Sequence, residues 1–76
     1  MAVIDGTHLR WCRERSGFTP TQFAKEIGIS VDYLRNIEDG HRFLKRRPDL
    51  IKQIADALGV PQQKLMKAAP GEQVGQ

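Results

Sequence analysis

Apolar residues recur along this chain at helical spacings, and glycines punctuate them. Asp5, Gly6 and Thr7 offer N-cap residues, and Leu9 and Cys12 lie three apart in a run of good helix formers closed by Gly17, which predicts a first helix over 7–16. Thr19 followed by Pro20 pairs a capping hydroxyl with a proline at the first helical position. Phe23, Ala24 and Ile27 follow before Gly28, so the second helix is only about eight residues long. Ser30 caps a third helix through Asp39, with Leu34 and Ile37 as its apolar stripe, Asp32 in its first turn and Gly40 as its stop. The segment 41–47 has no period and reads as a loop ending at Pro48. Beyond it, Leu50, Ile51, Ile54, Ala55 and Leu58 form the clearest amphipathic face, terminated by Gly59. Val60 and Pro61 restart a short fifth helix through about Ala68, with Leu65 and Met66 inward. From Pro70 to Gln76 the chain is polar and glycine-rich, a flexible tail after a domain spanning 1–69. No strand pattern and no internal repeat is visible.

The expected fold class is therefore all-α, five short helices in one compact domain. Where two short helices cross steeply through a turn of a few residues, the middle of the first must be small and the turn must accept a positive φ; Ala24 and Gly28 supply both.

Composition narrows the function. A chain of 76 residues buries about 60% of its unfolded surface, which leaves little room for an enclosed catalytic pocket. No nucleophile with base and orienter and no phosphate-cradling glycine loop is present, so no enzyme and no cofactor is expected. His8 and Cys12 stand one helical turn apart. With only His41 left among the histidines and cysteines, a closed zinc site lacks its fourth such ligand, and Cys12 reads as a buried thiol. One cysteine, no secretory start and no long apolar run point to a reducing, cytoplasmic setting without a membrane.

The net charge is only +3, but His41 to Arg47 carries four formal positive charges and no negative one, leaving the rest of the chain at −1. A basic segment on a near-neutral body suits an anionic partner meeting one face; the plainer alternative is a solvated loop. Phe43 within it either docks on the core or stacks on a sugar or base. Trp11 either caps the core edge or faces a partner.

The run from Phe18 to Gly40 carries a hydrophobic residue and capping hydroxyl (Phe18-Thr19), then Phe23-Ala24, Gly28-Ile29-Ser30 and Ile37-Glu38-Asp39-Gly40 at fixed spacing. With Pro48, Ile54-Ala55, Leu58-Gly59-Val60 and Leu65 beyond it, the chain from about Thr7 to Ala68 resembles the helix-turn-helix domains of the lambda repressor and Cro type, the XRE family. The resemblance implies a lambda-repressor-like DNA-binding domain with its helix-turn-helix at helices two and three. The function implied is a bacterial or phage transcriptional regulator, repressor-like and nucleoid-associated, whose third helix reads the major groove of double-stranded DNA, as a homodimer on a two-fold site.

Carried onto this sequence, the base readers are Ser30, Val31, Asp32 and Arg35. Arginine can donate twice to guanine, aspartate can accept from cytosine, valine can touch a thymine methyl and serine is permissive. Ser30 has an N-cap role as its alternative, and Asp32 a helix-dipole role. Phosphate contacts fall to Thr19, Thr21, Tyr33, Asn36, Arg42, Lys45 and Arg46, and Arg13 and Glu38 stand where the family pairs arginine with glutamate.

Two residues depart from the pattern. Pro20 replaces a common glutamine that contacts phosphate, and Arg35 replaces a short polar residue. No small-molecule ligand is expected. The competing expectation is a protein-interaction module, such as an antitoxin or an adaptor in a phage recombination or polymerase complex, with Trp11, Val60 and Met66 as partner surface.

Overall fold

The computed structural model describes residues 2–68, and the expected tail over 70–76 lies outside the described residues. In chain order the elements are β1 (Ala2–Ile4), α1 (Gly6–Arg15), α2 (Pro20–Ile27), α3 (Val31–Glu38), α4 (Pro48–Leu58), a 3-10 turn (Gln62–Leu65) and β2 (Met66–Ala68).

The caps explain why these short helices start where they do. Asp5 Oδ1 accepts from the backbone N–H of His8 at 3.2 Å, and Ser30 Oγ from that of Tyr33 at 3.1 Å. At α2 the cap is reciprocal: Thr19 Oγ accepts from Gln22 N at 3.1 Å while Thr19 N donates to the Gln22 side chain at 3.2 Å. Such a box satisfies two of the backbone groups that a helix end orphans. The α4 start has no side-chain cap and relies on Pro48 in its first turn, with Asp49 beside it. A hydrogen bond from Arg47 holds the Asp49 carboxyl below its ordinary range. Gly28 closes α2 at φ 76°, so α3 can begin three residues later.

The fifth helix of the sequence reading is not what forms. Its segment makes a single 3-10 turn and then extends, and Met66–Ala68 pairs antiparallel with Ala2–Ile4, Ile4 facing Met66 and Ala2 facing Ala68. The expectation of no strand is likewise overturned. The cause lies at the other end of the chain: Val3 and Ile4 are completely or almost completely buried, and their backbone groups need partners there. Pairing supplies part of them, and two bonds outside the ladder add to it: Ile4 N donates to Phe43 O in the basic loop at 3.4 Å, and Asp5 N, one residue past the strand, donates to Leu65 O at 2.7 Å. A three-residue strand is too short for alternation to register as a pattern.

One core joins all the helices, with Phe23, Leu9, Leu34, Ile37, Leu50, Ile54 and Leu65 fully buried at its centre and Ala24 at 3% exposure. Leu44 closes it from the basic loop. It is buried and holds φ 56°, a left-handed conformation that a branched side chain adopts at a cost of about 1–2 kcal/mol. Burial of a leucine, worth about 1.5–3 kcal/mol, offsets that cost. Of the two loop apolars, Phe43 is the half-buried one and Leu44 the plug. Leu44→Ala keeps the strain and loses the packing, so a loss of about 2–3 kcal/mol is expected in urea denaturation; an unchanged midpoint would show that the loop closes without it.

Candidate nucleic-acid interface

α2 and α3 pack against each other through Phe23, Ala24, Ile27, Leu34 and Ile37, and the burial of these five sets which residues face out. On α3 the outward positions are Asp32 and Arg35, both exposed, with Asn36 half-buried beside them. Ser30 is exposed, but its oxygen is engaged as the cap acceptor, which leaves its hydroxyl hydrogen available to donate. Val31 is half-buried and packs on the core edge, so only part of its side chain is open. Tyr33 packs similarly.

Thr19 and Thr21 are exposed at the start of α2. Arg42, Lys45 and Arg46 are exposed in the loop after α3. The structure joins the first part of that loop to α3: the N–H groups of His41 and Arg42 both donate to the Asn36 carbonyl, at 2.8 and 3.2 Å. Arg42 is therefore fixed at the end of the third helix. Among the described residues no hydrogen bond or ion pair ties Lys45 or Arg46 to α3, and Arg47 turns to Asp49 at 3.4 Å.

Arg13 and Glu38 form a buried fork. Arg13 Nε donates to Glu38 Oε2 at 2.7 Å and Nη2 to Oε1 at 3.2 Å, while Nη1 donates to the Phe18 carbonyl at 2.8 Å. Their side chains are 5% and 7% exposed. One guanidinium thus links α1, the turn before α2 and the last residue of α3, which fixes the tilt of the helix that carries Asp32 and Arg35.

Trp11 lies on the outer side of α1, 51% exposed, stacked on His8 with ring centroids 5.5 Å apart and capped by the Arg15 guanidinium at 4.6 Å. It does not cover the core. Val60 and Met66 pack against the core, so Trp11 is the exposed member of the three residues considered as partner surface.

Two features escaped the sequence reading. The Thr19-x-x-Gln22 box was legible as a spacing. Arg10 had a weaker signal, its place one turn before Arg13; the fold sets it with Arg35 and Pro20 around one recess. Among the described residues no helix is long and apolar enough to cross a membrane, and no three His, Cys, Asp or Glu side chains are grouped to hold a metal.

Comparison with known proteins bears on the family and the fold. The helix-turn-helix domain family matches residues 6–67. An uncharacterized HTH-type transcriptional regulator of Bacillus subtilis, YazB, is 38% identical over 66 residues, covering 80% of this chain and 96% of that protein. The restriction-modification controller protein C.AhdI of Aeromonas hydrophila has a similar structure, with TM-score 0.71 and 27% identity over 79% of this chain and 88% of its own. The master regulator for biofilm formation SinR, solved in complex with DNA, has TM-score 0.71 at 20% identity over 79% of this chain and 94% of its own, a likeness of fold alone.

Proposed function

Since the chain belongs to the helix-turn-helix domain family of transcriptional regulators, of the Cro type, we propose that it is a repressor-like regulator reading the major groove of double-stranded DNA with α3. The observation that carries this reading is the tether between Asn36 and the loop: it holds the backbone of the exposed Arg42 at the C-terminal end of an α3 whose outer positions, Asp32 and Arg35, are polar and solvent-facing. Base contacts come from Arg35, Asp32, the open part of Val31 and the Ser30 hydroxyl. Thr19, Thr21, Tyr33, Asn36, Arg42, Lys45 and Arg46 hold the backbone. A single reading helix specifies three or four base pairs, which recur by chance about every 64 to 256 base pairs, so useful specificity calls for two copies on a two-fold site.

Selection of bound sites from random duplex DNA tests the reading. An enriched two-fold sequence with half-sites about one helical turn apart is expected. On that site, Arg35→Ala loses about 1–3 kcal/mol at one base pair and relaxes preference there, whereas Arg46→Ala weakens all sequences alike and flattens the salt dependence. If each copy neutralises about four phosphates, log affinity falls against log salt with a slope near −3.6 per copy. Equal losses for both variants on cognate and random DNA overturn the assignment of readers. The exposed Trp11 favours a second use as a protein-docking module; a stable co-purifying protein together with no duplex affinity at low salt would support that instead.

A further inference from the structure

A recess of about 320 Å³ opens where α1, α2 and α3 meet, lined by Arg10, Arg13, Pro20, Arg35, Glu38 and Asp39. Its charges do not all count equally. Arg13 and Glu38 satisfy each other in the buried fork and present little outward. That leaves the guanidiniums of Arg10 and Arg35 against the single carboxylate of Asp39. Arg35 has no ion pair or side-chain hydrogen bond among the described residues, and neither has Asp39. Among the described residues Arg10 is held only by Glu14 one turn along α1, at 3.4 Å, in a pair whose side chains are 59% and 57% exposed. Such a pair is weak and readily exchanged for a better anion. Pro20 also lines the recess and has neither N–H nor side-chain donor, and the Arg13 donors are engaged in the fork, so the uncommitted donors of this lining are those of Arg10 and Arg35.

Resting on the DNA reading above, we infer that Arg10 is a phosphate contact: a backbone phosphodiester of the bound duplex enters this recess over Pro20 and takes Arg10 from Glu14. Arg35, which shares the lining, keeps the mouth positive and stays directed at the neighbouring base pair. A phosphodiester suits the site because it offers a full negative charge and two acceptor oxygens to a planar fork of donors. Glu14 acts as an internal competitor for Arg10, so the free protein holds this contact partly masked. Arg10 is thereby a positioning residue, and it sets how deep α3 can sit without choosing the sequence.

The test compares Arg10→Ala, Arg10→Lys and Glu14→Gln with the unaltered chain on the selected duplex and on random duplex over a range of salt. Arg10→Ala is expected to weaken both duplexes by the same factor, on the order of tenfold, and to reduce the salt slope by about 0.9, with base preference unchanged. Arg10→Lys restores the slope. Glu14→Gln tightens binding by about 1.5- to 5-fold, the conversion of an exposed pair of 0.2–1 kcal/mol, and does so much less when Arg10 is alanine. Single uncharged methylphosphonates walked along the selected site should reveal one position that penalises the unaltered chain and Arg35→Ala but not Arg10→Ala. An unchanged salt slope for Arg10→Ala, a loss confined to the selected sequence, or no such position overturns the inference while the DNA reading stands. No duplex binding by the unaltered chain at low salt overturns both.

Discussion

Gly6→Ala is expected to unfold most of the chain at 25 °C, with a loss of about 4 kcal/mol or more. A Cβ at residue 6 would overlap the Ile37 carbonyl oxygen and lie 2.7 Å from the Glu38 carbonyl oxygen and 2.9 Å from its carbon. These are backbone atoms in the last turn of α3, so no change of rotamer relieves the clash. Overpacking against movable side chains costs about 1–3 kcal/mol. Here the start of α1 must instead retreat from the end of α3, against the buried Ile37 and the fork between Arg13 and Glu38. A small single core supplies only about 3–5 kcal/mol in total, so the loss is comparable with the whole stability. Gly28→Ala is the comparison: its φ is 76° and nothing lies within 4 Å, so strain of about 1–2 kcal/mol is the entire expected effect. Far-UV circular dichroism with urea titration separates the two. A Gly6→Ala chain as stable as Gly28→Ala would show that α1 and α3 are not in backbone contact.

Gly6 also marks how far the sequence could be read. As a small residue after Asp5 it was legible as part of a helix start, but its need to be glycine comes from a carbonyl 31 residues away, which no local pattern records. The caps were legible because each is a contact within three residues. The crossing of α2 and α3 was legible from Ala24 and Gly28, since both constraints lie inside the motif. The pairing of Ala2–Ile4 with Met66–Ala68 was not, because each strand is three residues long and only tertiary closure selects an extended over a helical state for the second. At the candidate interface, residue types suited to readout could be listed, but their exposure could not: Val31 leans on the core, and Arg10 enters the recess only through the meeting of three helices.

The second large effect is expected at the fork. Glu38→Ala leaves the buried Arg13 charge with the Phe18 carbonyl at 2.8 Å and the exposed Glu14 carboxylate at 4.0 Å, and a loss of about 3–5 kcal/mol follows because these offset little of its desolvation. Arg13→Ala is expected to cost a similar amount, since it strands the Glu38 carboxylate and leaves the Phe18 carbonyl without its donor at 2.8 Å. The double substitution should cost clearly less than the two singles added together, and Arg13→Met with Glu38→Leu should recover much of the stability by filling the same space with apolar groups. Because the pair is nearly enclosed, the deficit of Glu38→Ala should be the same in 0.1 M and 1 M salt, unlike that of an exposed pair. The consequence for function differs between the stability-matched proteins. In the Met–Leu chain the fold returns, but the directional bonds fixing α3 to α1 and to the turn before α2 do not. Affinity for the selected duplex should therefore fall more than affinity for random duplex, which depends mainly on charge. If that chain binds both duplexes as the unaltered protein does, the fork stabilises the fold and plays no part in aiming the reading helix.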